Sequence, residues 1–234
     1  MQAIILAGGV GSRLYPYTVA IPKPLIPIAD VPIIDIVLKQ LAAAGVKHVI
    51  LALGYMAEMV KAYVGNEYGL RITTSVEDKP LGTIAPLKLM KDQLEDKFLV
   101  MNGDILTDIK YKKLFDFHKK RNAKATVATY IKKTKLQLGV IENNDEGRII
   151  EFREKPVLEN RVSMGIYVFS KEIVEYIPDD ECFGFDTLMH RMIEKKDAVF
   201  SYEFSGRWFD IGMHEDLITA TDDFIKNKEY YTSQ

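Results

Sequence analysis

The residues best suited to chemistry are cations and carboxylates set beside glycines and prolines. Near the N-terminus, Leu6-Ala7-Gly8-Gly9-Val10-Gly11-Ser12-Arg13-Leu14 packs three glycines into four positions. Lacking side chains, such a segment lets backbone N–H groups close around a polyphosphate. Arg13 stands where a guanidinium reaches the same anion. The spelling argues against two familiar phosphate loops. A dinucleotide fingerprint starting at Gly9 needs Gly or Ala where Leu14 stands, and no Gly-Lys-Ser/Thr of a P-loop occurs. The plain alternative is a tight turn after a strand.

Ten residues on, Ile21-Pro22-Lys23-Pro24-Leu25 braces a lysine between prolines. That fixes the backbone and suits a cation held at a set distance from the glycine loop. A rigid surface turn is the competing reading. Asp104, in Val100-Met101-Asn102-Gly103-Asp104, follows an apolar run that reads as a strand. Ligands of open α/β sheets bind beyond the carboxyl ends of strands, so this carboxylate is placed to hold Mg²⁺, with a turn or N-cap role as its rival. Phe152-Arg153-Glu154-Lys155-Pro156 offers a second proline-braced lysine. Trp208-Phe209-Asp210-Ile211-Gly212 sets an aspartate among apolar residues, where a carboxylate needs a donor or a metal. Glu77 precedes Gly82 by five residues. A carboxylate there can accept from the N1–H and 2-amino group of guanine; otherwise it is a solvated loop charge.

Elements must bring these groups together. Ala3–Leu6, Val49–Leu53, Arg71–Val76 and Phe98–Met101 read as strands of a largely buried sheet. Between them, Val31–Ala44, Met56–Val64 and Ile84–Leu94 read as helices, the second with Met59, Val60 and Tyr63 on one face. Strict alternation implies parallel pairing with right-handed crossovers. The second half is richer in strands, at Ala125–Tyr130, Gly139–Glu142, Ile149–Phe152, Gly165–Phe169 and Val199–Glu203, with a turn over Asn143–Gly147. Helices are expected at Lys171–Ile177, Asp186–Glu194 and His214–Lys226. The expectation is one domain over 1–226, with a polar tail, 227–234, that frays.

Composition narrows the function. The chain has 234 residues, 47% of them hydrophobic and 27% charged, so it can bury a core and is not disordered. A formal charge of −2 argues against a nucleic-acid or anionic-membrane binder. One cysteine, Cys182, excludes an internal disulfide, and with His48, His118, His190 and His214 it makes no zinc-finger spacing. No apolar run approaches the roughly 20 residues that span a bilayer. The N-terminus lacks a basic leader, so a cytoplasmic protein is expected.

Taken in order, the glycine loop, Pro22-Lys23-Pro24, Pro80-Leu81-Gly82-Thr83, Asn102-Gly103-Asp104, Glu154-Lys155-Pro156 and Trp208-x-Asp210-Ile211-Gly212 resemble the sugar-1-phosphate nucleotidyltransferases (NDP-sugar pyrophosphorylases). The likeness runs from residue 1 to about 226. It implies a Rossmann-like, three-layer α/β/α fold with a mostly parallel mixed central sheet. It implies small-molecule substrates, an NTP and a sugar 1-phosphate, with Mg²⁺, and leaves a homo-oligomer open. Leu6, Ala7, Gly8, Gly9, Gly11, Glu77, Pro80, Gly82 and Thr83 would bind the nucleotide, with Arg13 on the triphosphate and Lys23 near the bond that breaks. Asp104 and Asp210 would share the metal. Asn102, Gly103, Glu154, Lys155, Ser163 and Gly165 would hold the sugar phosphate. Many members carry an Asn-Ala-Gly-like sequence where this chain reads Val162-Ser163-Met164-Gly165, which bears on sugar recognition rather than on the reaction.

The segment Val76–Thr83 looks more like mannose or heptose 1-phosphate guanylyltransferases than glucose 1-phosphate thymidylyltransferases. Uridylyl- and cytidylyltransferases share much of the pattern. A glycosyltransferase would need Asp-x-Asp, which Asp104-Ile105-Leu106 does not provide. A silent, sugar-nucleotide-binding regulatory subunit predicts loss of a charged site residue, and all are present. The reading requires Arg13, Lys23, Lys155, Asp104 and Asp210 to face one cavity.

Overall fold

The computed structural model describes residues 1–179 and 181–232. Its centre is a seven-stranded sheet in the order Val199–Phe204, Ala125–Lys135, Val157–Ser170, Lys97–Asn102, Gln2–Ala7, His48–Leu53, Arg71–Val76. All neighbours pair in parallel except Val157–Ser170, which is antiparallel to both strands beside it. The expected mostly parallel, mixed sheet is therefore present. Alternate residues of the first strand feed opposite cores. Ala3, Ile5 and Ala7 join the layer packed by helices Ile33–Ala43, Tyr111–Lys120 and His214–Lys226. Ile4 joins the layer formed by Pro86–Leu89, Lys171–Tyr176 and Phe185–Glu194. Burial on both faces explains why the central strands are continuous apolar runs.

The first strand lies between its two successors, His48–Leu53 on one side and Lys97–Asn102 on the other. Chain direction across the sheet reverses there, which opens a crevice at the strands' carboxyl ends. Gly8–Gly11 and Asp104 both emerge into it.

Several expectations change. Ile84–Leu94 is not one helix but Pro86–Leu89 followed by a 3-10 turn, Lys91–Gln93. The buried Gln2 amide captures the backbone there, donating to the Gln93 carbonyl (2.7 Å) and accepting from Glu95 N–H (2.9 Å). In Ala57–Tyr63 only Ala57 and Val60 are buried. Met59 is exposed, and the Tyr63 hydroxyl turns to Asp35 (3.0 Å) instead of the core. Ala125–Lys135 and Val157–Ser170 run well past the core as a paired arm, because ladder hydrogen bonds continue where burial stops. The helix Tyr111–Lys120 escaped the sequence reading, although Tyr111, Leu114, Phe115 and His118 form a helical stripe, all buried.

Within the tail expected to fray, the described residues include further regular structure. Lys228–Thr232 is a short helix with Tyr231 buried, and Gln40 Nε2 donates to both the Tyr231 and Thr107 carbonyls (2.9 and 2.8 Å). Among the described residues, no helix is long and apolar enough to cross a membrane.

Candidate active site

The glycine loop is built by the strand it leaves. Gly103 N–H donates to the Leu6 carbonyl (2.8 Å) and Tyr55 N–H to the Gly8 carbonyl (3.1 Å), pinning the loop to the two neighbouring strand ends. Leu14 is fully buried, so the residue that spoils a dinucleotide fingerprint anchors this loop in the core. Gly11 has φ +67, and a Cβ there would lie 2.9 Å from Thr18 Cγ2. Left-handed backbone and lack of room both require glycine at that position.

Beyond the loop lies a cavity of about 440 Å³, within the range of small-molecule sites. Leu6, Ala7, Gly8, Gly9, Gly11, Arg13, Lys23, Glu77, Pro80, Gly82, Thr83, Asn102, Gly103 and Asp104 all line it. Every residue that the sequence reading put on the nucleotide is thus in one place. Val10, Ser12, Pro24, Ala52, Pro86 and Gly212 complete the wall and were not anticipated as lining residues. Gly212 stands beside the Arg13 guanidinium, since a Cβ on it would be 3.5 Å from Arg13 Cζ.

Lys23 forms an ion pair with Asp104 Oδ2, and the two side chains are only 14% and 19% exposed. The other oxygen, Asp104 Oδ1, is buried and has no hydrogen-bond partner among the described residues. An orphaned buried carboxylate oxygen costs at least about 1–3 kcal/mol, so a bound cation would have something to gain there. Asp210 comes alongside through a short antiparallel pairing, Trp208–Asp210 against Ile105–Thr107, which sets Asp210 opposite Ile105. Ile211 N–H then donates to the Asp104 carbonyl (3.0 Å). Asp210 keeps a solvent-exposed edge. Even so, surrounding protein and then the negative charge of Asp104 raise its pKa, opposed by Lys23 and Arg13.

No cluster of three or more His, Cys, Asp or Glu suited to a metal occurs among the described residues. Two carboxylates, one with an unpaired oxygen, fit a divalent ion that takes its remaining ligands from phosphates and water. Mg²⁺ is usually bound that way.

Glu77 is not a solvated loop charge. It is half-buried, Oε2 accepts from Leu81 N–H (3.2 Å), and Oε1 sits over the backbone of residues 8 and 54. A Cβ on Gly8 would lie 2.7 Å from Oε1, and one on Gly54 3.0 Å, so both glycines make room for it. Burial raises the Glu77 pKa, and the Leu81 N–H partly offsets this. Gly54 went unremarked in the sequence; its signal was a buried strand ending in glycine, as at Gly8.

The sugar-side assignments separate into two groups. Asn102 and Gly103 line the cavity. Gly165, at φ +73, packs on Asn102, and a Cβ on it would be 2.7 Å from Nδ2. Ser163 Oγ accepts from Gly165 N–H (3.3 Å). Glu154 and Lys155 are elsewhere. They follow the two-stranded ribbon Val140–Asn143 and Ile149–Arg153, pair with each other at 3.8 Å, and are 61% and 50% exposed. They do not line the cavity. The turn there, with Lys155 at φ +45 and the Pro156 carbonyl accepting from Leu136 N–H (3.0 Å), carries them out on the arm. Of the five groups required to share a cavity, Arg13, Lys23 and Asp104 line it, Asp210 adjoins them, and Lys155 stands apart.

The family model for nucleotidyl transferases matches residues 2–227. A mannose-1-phosphate guanyltransferase of Yarrowia lipolytica is 36% identical over 231 residues, covering 94% of this chain and 63% of the relative. One of Saccharomyces cerevisiae is 35% identical over 232 residues, covering 94% and 64%. The chain therefore spans a little under two thirds of the length of these curated relatives. Among solved structures, HddC of Yersinia pseudotuberculosis complexed with GMP-PN superposes with a TM-score of 0.75 at 25% identity, covering 95% of this chain and 99% of that one.

Proposed function

The chain belongs to the nucleotidyl transferase family, and from that premise we propose that it makes an NDP-sugar and pyrophosphate from an NTP and a sugar 1-phosphate. The observation that carries this reading is the convergence of Arg13, Lys23 and Asp104 over the glycine loop in one cavity. We further propose that the nucleotide is GTP and the sugar phosphate that of a hexose or heptose. The half-buried Glu77 carboxylate, the names of the yeast relatives and the GMP-PN complex of HddC support that choice.

A sugar-phosphate oxygen attacks the α-phosphorus in line. The new O–P bond forms as the bond to the β-phosphate breaks, and pyrophosphate leaves with the electron pair. The attacking phosphate is already ionised near neutral pH, so no protein base is needed. The obstacle is charge. Two unit charges about 4 Å apart repel by roughly 4 kcal/mol at an effective dielectric near 20. Arg13 meets the β- and γ-phosphates, and Lys23 lies toward the α-phosphate, so catalysis is positioning plus neutralisation. Asp104 and Asp210 would hold Mg²⁺, which when bound offsets phosphate charge and polarises the phosphoryl group. Glu77 accepts from the guanine N1–H and 2-amino group. Glu154 and Lys155 are assigned to the sugar and its phosphate on the family resemblance alone.

The test is pyrophosphate release from each NTP with mannose, glucose and heptose 1-phosphates. GTP with mannose or heptose 1-phosphate should give the highest rate. Silence from every pair would end the enzymatic reading.

A further inference from the structure

Behind the cavity wall, two aromatic rings connect its two ends. Tyr167, buried in the strand Val157–Ser170, stacks on Phe185 with ring centroids 4.2 Å apart and planes 25° apart. Phe185 opens the helix Phe185–Glu194, and the residues around it are tied to the loop that carries Gly82 and Thr83. Phe183 N–H donates to the Leu81 carbonyl (2.7 Å), and the N–H groups of Ile84 and Ala85 both donate to the Phe183 carbonyl (3.1 and 3.2 Å). Phe185 N–H donates to Thr83 Oγ1 (3.0 Å). Gly82 has φ +89, and a Cβ there would lie 2.9 Å from the Phe183 carbonyl oxygen. The loop is thus held by residues 183–185 on one side and by Glu77, through Leu81 N–H, on the other.

The other ring leads to the sugar side. The Tyr167 hydroxyl accepts from Ser163 Oγ (3.2 Å), and Ser163 holds the N–H of Gly165, which packs on Asn102. One stack therefore stands between Thr83 and Asn102, two residues on the wall of the same cavity.

We infer that Phe185 is a positioning residue that sets the Leu81–Ala85 loop and, through Tyr167, the Ser163–Gly165 turn, so that both substrates depend on a single ring pair neither touches. The inference deepens the nucleotidyltransferase reading and rests on it for the identity of the substrates. Its geometry does not depend on that reading.

Phe185→Leu keeps an apolar side chain but loses the stacked ring. The KM values for GTP and for mannose 1-phosphate should each rise about three- to tenfold, the range expected for one lost aromatic pair. The kcat should stay within about twofold, and Phe185→Tyr should restore both KM values. Loss of folded protein would lower the apparent kcat and leave both KM values unmoved.

Cys182 supplies a readout that needs no substrate. It is the single cysteine, it is exposed, and a Cβ on Gly82 would lie 3.2 Å from its Sγ. Its reaction with Ellman's reagent should quicken at least about threefold in Phe185→Leu and return in Phe185→Tyr. KM values within twofold of an active wild type, or an unchanged Cys182 rate, would overturn the inference. A wild type that turns over no substrate pair would instead remove the proposed function, and the Cys182 rates would still decide the role of Phe185.

Discussion

Replacing Glu77 by Gln tests base recognition with little change in shape. In the structure Oε2 is held by Leu81 N–H, and Oε1 rests over Gly8 and Gly54 at the cavity wall. A glutamine in the same place gives its carbonyl oxygen to Leu81 N–H and turns its NH₂ toward the base. The guanine N1–H and 2-amino group then face a donor instead of an acceptor. Losing a charge-assisted hydrogen bond costs about 1.5–3 kcal/mol, which corresponds to a fall of roughly ten- to 150-fold in kcat/KM for GTP. ITP lacks the 2-amino group, so it should lose less and the GTP/ITP ratio should shrink. Steady-state rates with GTP, ITP and UTP at fixed mannose 1-phosphate measure this directly.

The pH profile adds a signed check. Only the ionised carboxylate accepts both protons, so GTP preference falls as pH falls through the Glu77 pKa. Burial holds that pKa above the ordinary glutamate value, so the fall should come at a higher pH than for an exposed glutamate. It should be absent from the GTP/ITP ratio of Glu77→Gln. A variant whose kcat/KM for GTP stays within threefold of wild type would refute the assignment.

Asp104→Asn and Asp210→Asn should each abolish turnover, and a near-normal rate in Asp210→Asn at ordinary Mg²⁺ would remove that residue from the site. Lys23→Ala should lower kcat by two to three orders of magnitude, because one cation about 4 Å from the reacting phosphates is worth roughly 4 kcal/mol at most. An unchanged kcat with an altered melting temperature would make the lysine structural. Lys155→Ala should raise the KM for the sugar phosphate more than that for the nucleotide; equal values in mutant and wild type would leave Lys155 as a surface residue of the arm. His118 is buried between Thr126 and Ser170, and its pKa is lowered by burial from 6.5 to about 4. Below pH 6.5 the unfolded chain takes up a proton that the folded one refuses, so stability falls between pH 6.5 and 4, by about 3 kcal/mol. Urea midpoints should track this in wild type and lose most of that slope in His118→Gln.

The site was legible where its chemistry is written in contiguous residues. The glycine loop and Asn102-Gly103-Asp104 each follow a central strand, so local spelling also fixes position, and Lys23 packs beside Gly11 of that loop. What was illegible depends on chain segments far apart. Nothing near Trp208 announces that three residues will pair with Ile105–Thr107 and bring Asp210 to Asp104. The tie between residues 183–185 and the Gly82 loop is mostly backbone hydrogen bonding, which leaves no mark in side-chain type. Glu154 and Lys155 differ in the opposite sense: their motif is clear, but the arm that bears them extends beyond the core and leaves them outside the lining of this cavity. Helix Tyr111–Lys120 is legible in the spacing of Tyr111, Leu114, Phe115 and His118.

The buried Gln40 amide gives the short helix Lys228–Thr232 a reach well beyond its size. One NH₂ group bridges the Tyr231 carbonyl and that of Thr107, and Thr107 ends the strand that begins one residue after Asp104. The Tyr231 hydroxyl clasps Asp223 on the helix that follows Asp210. A segment remote from the crevice is thereby latched to the strand that follows Asp104 and to the helix that follows Asp210, and loosening it would register as a wandering of Asp104 relative to Asp210.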